Sequence, residues 1–222
     1  MSSGEGKRRL CVGILDNDEL TLMVLSRYLE KALSATTWCA ALGSKAIELC
    51  RDDNTRPDVL LVDMSLNDMD GCSCIAKIRE ERERVPILAI TSFPLHIYAQ
   101  QAANAGAQGI VPKRSLATIR SAILAILPNG IWPLETEGVK FKTVDDWLAQ
   151  GMAQRGDDAI PLPLSGRELE VIELFARGYT NEQISTELDV SANTVKTYAN
   201  RIFAKLGAHT RSQAVALWLA NR

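Results

Sequence analysis

Two groups of residues in this 222-residue chain have the types and spacing to do chemistry. Asp16 closes the apolar run 10–15, Asp63 closes Asp58-Val-Leu-Leu-Val-Asp63, and Thr91 closes the run 86–91. Short, near-continuous apolar runs read as buried strands of a parallel sheet, and such sheets bind ligands at the carboxyl ends of their strands. A carboxylate there serves as a nucleophile or as an oxygen ligand for a hard cation. The second group is Lys196, Thr197, Asn200 and Arg201, at i, i+1, i+4 and i+5, which is one stripe of a helix. Arg and Lys suit guanine edges and phosphates, Asn suits adenine, and the Thr methyl suits thymine. Lys205 and Arg211 are expected to clamp the nucleic-acid backbone beside that stripe.

The elements that must position these residues follow from hydrophobic period. Strands are expected over 10–15, 36–42, 58–63, 86–91 and 108–111. Helices are expected over 19–33, from an N-cap at Ser44 through Arg51, and over 71–83, 95–105 and 115–127. Leu22, Leu25, Leu29 and Leu33 give the first of these helices one apolar face. This alternation implies an α/β fold, a doubly wound parallel sheet of five βα units, over residues 8–127. Residues 128–160 read as a linker with a short capped helix at 143–152; the stretch 128–164 carries four of the eight prolines. From Leu164 the pattern is all-helical. Ser165 and Glu168 have capping-box spacing, Gly178 stops the first helix, and Thr180 caps a short second one. Asp189-Val190 makes a tight turn, Ser191 caps a helix running to Leu206, and Thr210 opens a fourth. Two helices joined by such a turn match a helix-turn-helix, so residues 161–222 read as a small four-helix DNA-binding domain.

Charge supports this division. The net charge is −2, from 25 basic and 27 acidic side chains, yet residues 191–222 hold five basic residues and no acid. A cationic end on a slightly acidic chain points to a local polyanion-binding surface. Hydrophobic and charged fractions of 46% and 23% exclude a wholly disordered chain. No apolar run approaches the roughly 18 residues of a membrane span. Asp16 interrupts the N-terminal apolar stretch before a signal-peptide core forms, so a cytoplasmic protein is expected. Five cysteines, all within the first 74 residues, read as small core residues rather than a disulfide framework or metal site. His96 and His209 are isolated.

The C-terminal motifs resemble the LuxR-type helix-turn-helix along the whole module. Leu164-Ser-Gly-Arg-Glu-Leu-Glu-Val-Ile is similar to its opening helix, Gly178-Tyr-Thr-Asn-Glu-Gln-Ile-Ser-Thr-Glu-Leu-Asp-Val-Ser to its scaffold helix and turn, and Thr194-Val-Lys-Thr-Tyr-Ala-Asn-Arg-Ile-Phe-Ala-Lys-Leu-Gly to its recognition helix. The first 127 residues resemble a response-regulator receiver, and the combination resembles the NarL/FixJ family. That resemblance implies a phosphoacceptor at Asp63, supported by the Thr91 hydroxyl and the Lys113 amine. It implies Mg²⁺ held by Asp16, Asp63 and the Ser65 backbone carbonyl, with Asn17 or Asp18 as a further ligand. It also implies a DNA-binding transcriptional regulator, homodimeric on double-stranded DNA and served by a sensor histidine kinase, and no enzyme.

Two positions depart from the family pattern. Asn17 stands where a second acid usually follows the first, and an amide brings no charge to a cation. Ile110 stands where an aromatic usually reports on the Thr hydroxyl. These departures keep open a phosphorylation-independent regulator gated by a ligand or protein partner. A remote alternative is a haloacid-dehalogenase-like phosphatase with Asp16 as nucleophile, since Asp16-Asn17-Asp18 fits the start of that motif.

Overall fold

The structure, a computed structural model, describes residues 8–81, 83–132, 139–153, 164 and 166–220. The chain divides into two compact units after residue 155. In the first, strands β1 (Cys11–Leu15), β2 (Thr36–Ala40), β3 (Val59–Asp63), β4 (Ile87–Thr91) and β5 (Gly109–Pro112) form one parallel sheet in the order β2-β1-β3-β4-β5. Between them run α1 (Glu19–Leu33), α2 (Gly43–Arg51), α3 (Gly71–Glu80), α4 (Leu95–Ala105) and, last, α5 (Leu116–Ile126). Strand side chains alternate between two covered faces. Val12, Ile14, Leu61, Leu88, Ile90 and Val111 pack with Leu22, Leu25 and Leu29 of α1 and Ile119 and Ile123 of α5. Their neighbours Leu15, Leu60, Val62, Ile87, Ala89 and Ile110 are also fully buried. Burial on both faces explains why these strands read as continuous apolar runs rather than alternating ones.

Three differences from the sequence expectation have physical causes. Ser44 does not cap α2, which starts at Gly43 with Leu42 in the cap position and no side-chain cap of its own. The Asp68 carboxylate, from the loop after β3, instead accepts from Gly43 N at 2.9 Å and Ser44 N at 3.1 Å. Helix α3 ends at Glu80 rather than 83. It starts against β3 so closely that a Cβ at Gly71 would lie 2.4 Å from the Asp63 carbonyl oxygen. Finally, the helix expected within the linker, α6 (Val144–Ala153), belongs to the first unit. Phe141 and Val144 are buried, and Trp147 Nε1 donates to the Asn104 carbonyl at 3.3 Å. The compact unit thus extends well past residue 127, with Trp147 packed beside Gly106 at the end of α4.

Beneath that edge lies a buried polar network. Arg79 is 2% exposed and donates to the carbonyls of Gly106 (3.0 Å) and Glu83 (2.8 Å) and to Gln108 Oε1 (3.0 Å). Gln108 Nε2 reaches the Lys142 carbonyl at 3.4 Å. Burial pulls the Arg79 guanidinium down to about 10, so it stays charged and satisfied by oxygens.

The second unit comprises α7 (Gly166–Ala176), α8 (Asn181–Glu187), α9 (Ala192–Leu206) and α10 (Arg211–Ala220). Val171, Ile172, Phe175, Ile184, Val195, Ile202 and Ala214 form its core. Thr180 and Gln183 make a reciprocal capping box on α8, and Ser191 Oγ accepts from Thr194 N at 3.0 Å. Gly178, at φ +86°, takes the left-handed conformation that ends α7, and Asp189, at φ 52°, makes the turn between α8 and α9. Ser165 lies outside the described residues.

Because α2 borrows its cap from another loop, Asp68→Ala should lower stability by about 1 kcal/mol in urea unfolding. Ser44→Ala should leave stability nearly unchanged.

Candidate functional site

Parallel pairing brings the carboxyl ends of β1, β3, β4 and β5 to one edge of the sheet, and the expected residues converge there. Asp16, Asp63 and Thr91 are 0%, 2% and 0% exposed. Lys113, held by its own backbone N–H to the Thr91 carbonyl at 2.9 Å, reaches between the two carboxylates. Its Nζ lies 2.7 Å from Asp16 Oδ2 and 2.9 Å from Asp63 Oδ2. Burial pushes the Asp63 carboxyl up to about 6; Lys113 opposes that rise and Asp16 adds to it. Burial alone would lower the Lys113 amine, but the two carboxylates outweigh it and hold the amine above its ordinary range. The site is therefore two buried negative charges organised around one buried positive charge. The Thr91 hydroxyl accepts from Phe93 N at 3.1 Å, which orients it at the end of the strand next to Asp63.

The alternatives for the further cation ligand separate here. Asp18 caps α1, accepting from Leu20 N at 3.1 Å, Thr21 N at 3.3 Å and Thr21 Oγ1 at 2.6 Å. These bonds, the Thr21 hydroxyl first, hold its carboxyl below the ordinary range and turn it away from ligation. Asn17 does face the site. Its Nδ2 donates to Asn67 Oδ1 at 3.3 Å, and the other end of the amide lies 3.2 Å from Asp63 Oδ2 and 3.1 Å from the Ser65 carbonyl oxygen. Asp16 Oδ2 makes an ion pair with Lys113 but no aligned hydrogen bond, which leaves a buried carboxylate oxygen with capacity to spare. Asp16, Asp63 and the Ser65 carbonyl thus form an all-oxygen set suited to a hard cation. No cluster of three or more acidic, His or Cys side chains capable of holding a metal occurs among the described residues.

Ile110 is fully buried. A buried aromatic, Tyr98 of α4, stands elsewhere in the unit, 1% exposed, with its hydroxyl 3.4 Å from Ser65 Oγ and its ring edge-on to Phe93. The sequence reading missed Tyr98; its one signal was an aromatic on the apolar face of a helix that followed Thr91.

In the second unit, Lys196, Thr197, Asn200 and Arg201 are all exposed on α9, while Val195, Ala199 and Ile202 are buried. Asn193, not singled out from sequence, is also exposed, and its carbonyl accepts from the Thr197 hydroxyl at 3.0 Å. The lining of a groove of about 420 Å³ beside the stripe includes Thr180, Asn181, Glu182, Lys196, Asn200 and Arg211. Lys205 and Arg211, expected as backbone clamps, are part-exposed and also make contacts within the module. Lys205 pairs at 2.7 Å with Glu168, which is 2% exposed. Arg211 donates to the Phe175 carbonyl at 3.1 Å and to the Tyr179 carbonyl, with its guanidinium 4.1 Å from the centre of the Phe175 ring. These contacts close the C-terminal end of α7, where carbonyls lack helical partners.

A sheet that gathers carboxylates, a hydroxyl and a lysine at one edge, followed by a helix-turn-helix with a polar, cationic recognition stripe, defines a signal-receiving module joined to a DNA-binding one. Known proteins agree. Residues 12–124 match the family model for the response regulator receiver domain, and residues 162–218 match that for bacterial regulatory proteins of the luxR family. The chain belongs to the response regulators, with a receiver and a LuxR-type DNA-binding domain. Response regulator protein VraR of Staphylococcus aureus (strain NCTC 8325 / PS 47) is 27% identical over 202 residues, covering 90% of this chain and 92% of that protein. Among solved structures, Salmonella typhimurium RcsB response regulator aligns with a TM-score of 0.52 at 19% identity, over 97% of this chain and 100% of that one. A LuxR-family two-component response regulator from Aurantimonas sp. SI85-9A1 aligns with a TM-score of 0.53 at 23% identity, over 66% and 100%. These two likenesses concern the fold. Among the described residues no helix is long and apolar enough to cross a membrane.

The raised Asp63 gives a pH signature. Its carboxyl moves from an ordinary value near 4 to about 6. The folded chain therefore holds that proton more tightly than the unfolded chain. The stability this contributes is complete below about pH 4 and is lost as pH rises through about 6. Urea unfolding across this window should show a decline of about 1–3 kcal/mol that Asp63→Asn removes. An unchanged slope in that variant would assign the dependence to another group.

Proposed function

We propose that this response regulator is controlled by phosphorylation of Asp63 and, when activated, binds double-stranded DNA as a homodimer through the exposed stripe of α9. The observation that carries this reading is the position of Lys113, whose amine lies within 2.9 Å of the Asp63 carboxylate at the strand ends. A carboxylate oxygen of Asp63 attacks the phosphorus of a small phosphodonor or a histidine kinase's phosphoryl group. An acyl phosphate forms and the donor's bond to phosphorus breaks. Lys113 then pairs with a phosphoryl oxygen, and the Thr91 hydroxyl is placed to hydrogen-bond another. Mg²⁺, held by Asp16, Asp63 and the Ser65 carbonyl, would supply positive charge against the phosphoryl oxygens. With Ile110 in place of an aromatic, the Ser65–Tyr98 contact is the route from the acceptor loop to α4.

On DNA, Lys196, Thr197, Asn200 and Arg201 face the major groove and are joined there by Asn193. Lys205 and Arg211 position the helices and do not touch DNA. The phosphatase alternative is not favoured: it makes Asp16 the nucleophile, whereas Asp16 is buried against Lys113 and lies within the stretch that matches receivers. The phosphorylation-independent alternative, gated by a ligand or partner, is likewise not favoured by the family matches.

Intact-mass spectrometry after incubation with acetyl phosphate and Mg²⁺ should find one phosphoryl adduct on the wild type and none on Asp63→Ala. Tyr98→Phe should accept the group yet lose the accompanying rise in DNA affinity. A folded wild type that never takes up the group would overturn the phosphorylation reading.

On the DNA side, Lys196→Ala and Arg201→Ala should weaken operator binding, each shallowing the log–log salt slope by about 0.9 where it removes a phosphate contact. Arg211→Ala should lower thermal stability and leave that slope unchanged.

A further inference from the structure

Asn17 and Asn67 lie 50 residues apart and meet beside the acceptor, where Asn17 Nδ2 donates to Asn67 Oδ1 at 3.3 Å. Both are held by their neighbours in sequence. Asp16 is fully buried, and Asp18 caps α1 while its backbone N–H donates to Asp16 Oδ1 at 3.0 Å. Asp68, next to Asn67, is tied to the start of α2 through Gly43 N and Ser44 N. With Nδ2 committed to Asn67, the oxygen end of Asn17 lies 3.2 Å from Asp63 Oδ2 and 3.1 Å from the Ser65 carbonyl oxygen. Mg²⁺ takes ligands at roughly 2.0–2.1 Å in octahedral geometry, which sets neighbouring ligand oxygens about 2.9 Å apart. The three oxygens thus stand near ligand-to-ligand spacing. An amide beside two acceptors alone gains most by turning its nitrogen toward them. A cation reverses that preference, and an acceptor on the outer side satisfies the N–H that then points away.

We propose that Asn67 is a positioning residue for the cation: its side-chain oxygen holds the Asn17 amide nitrogen outward, so that the Asn17 oxygen completes the ligand set with Asp63 and the Ser65 carbonyl. The inference deepens the proposed function, because it rests on the assignment of Mg²⁺ to this sheet edge. It accounts for how a neutral side chain serves where the family pattern has a second acid. A carboxylate presents an oxygen in either orientation. An amide does so in one of two, and a hydrogen bond on its outer side selects that one. Asn67 is itself exposed and acts only through Asn17.

The dependence on Asn17 separates this role from general support of the acceptor loop. Calorimetric titration of the full chain with Mg²⁺ alone, in the wild type, Asn67→Ala, Asn17→Asp and the double variant, provides the test. Asn67→Ala should bind Mg²⁺ about tenfold more weakly than the wild type, the low end for loss of an outer partner of a metal ligand. In the Asn17→Asp background the same substitution should change Mg²⁺ affinity by less than about twofold, because a carboxylate has no wrong orientation. Circular dichroism checks that all the variants are folded. Wild-type Mg²⁺ affinity in Asn67→Ala would overturn the proposal. An equal loss in both backgrounds would overturn it too, by placing the effect in the loop backbone rather than in the amide. Failure of the folded wild type to bind Mg²⁺ would remove this inference together with the cation assignment, whereas failure of Asp63 to take up a phosphoryl group would leave it standing.

Discussion

Two carboxylates cannot share a buried sheet edge without a counter-charge, and the receiver is organised around that constraint. Asp16 and Asp63 are placed side by side by β1 and β3, whose pairing runs in register to the strand ends. Burial strengthens their repulsion, since a low-dielectric setting screens little. Lys113 resolves this from the end of β5, two strands away from β3. One ammonium between two carboxylates leaves one negative charge in excess, which favours a cation; burial, with Asp16 adding to it, keeps the Asp63 carboxyl high against the pull of Lys113. The acceptor loop follows the same logic. The Ser65 carbonyl oxygen lies 3.1 Å from the end of the Asn17 side chain and the Ser65 hydroxyl 3.4 Å from that of Tyr98, so the loop adjoins both the end of β1 and α4.

The remainder of the first unit holds this edge in place. Asp68 ends the acceptor loop by capping α2, and the close approach at Gly71 seats α3 directly on β3. On the other side, Arg79 draws α3, the start of β5 and the segment before α6 into one hydrogen-bonded group. A buried guanidinium contributes little net stability, but its directional donors permit few alternative packings. The same network explains why residues 139–153 pack on the receiver instead of spanning free. Helix α6 reaches the end of α4, where Trp147 Nε1 donates to the Asn104 carbonyl and its ring stands beside Gly106.

In the DNA-binding unit, charge is sorted by burial. Basic residues on α9 are exposed at 196 and 201, while the next one, Lys205, turns inward to Glu168. Arg211 spends its planar guanidinium on carbonyls at the end of α7 and on the face of Phe175. A stretch that reads as uniformly cationic therefore divides into exposed side chains and ones paired within the module. The acidic residues divide as well: Glu168 is buried as a partner, whereas Glu182 borders the groove beside Lys196.

The sequence by itself determined the architecture. Doubly buried parallel strands require unbroken apolar runs, and capped helices require their caps, so element order, the sheet-edge position of Asp16, Asp63 and Thr91, and the α9 stripe were all legible from local pattern. Strand and helix bounds moved by only a few residues. Only the tertiary structure decided which polar groups are spent. That Asp18 caps α1 while Asn17 faces Asp63, that Asp68 rather than Ser44 caps α2, and that Lys205 and Arg211 turn inward depends on atoms brought together from 24 to 37 positions apart in the cases of Asp68, Lys205 and Arg211. Tyr98 was invisible for the same reason, its partner Ser65 lying 33 residues away. Hydrophobic period records which face of an element is buried. The pairing of individual donors with acceptors is a property of distances across the fold, and no local pattern carries it.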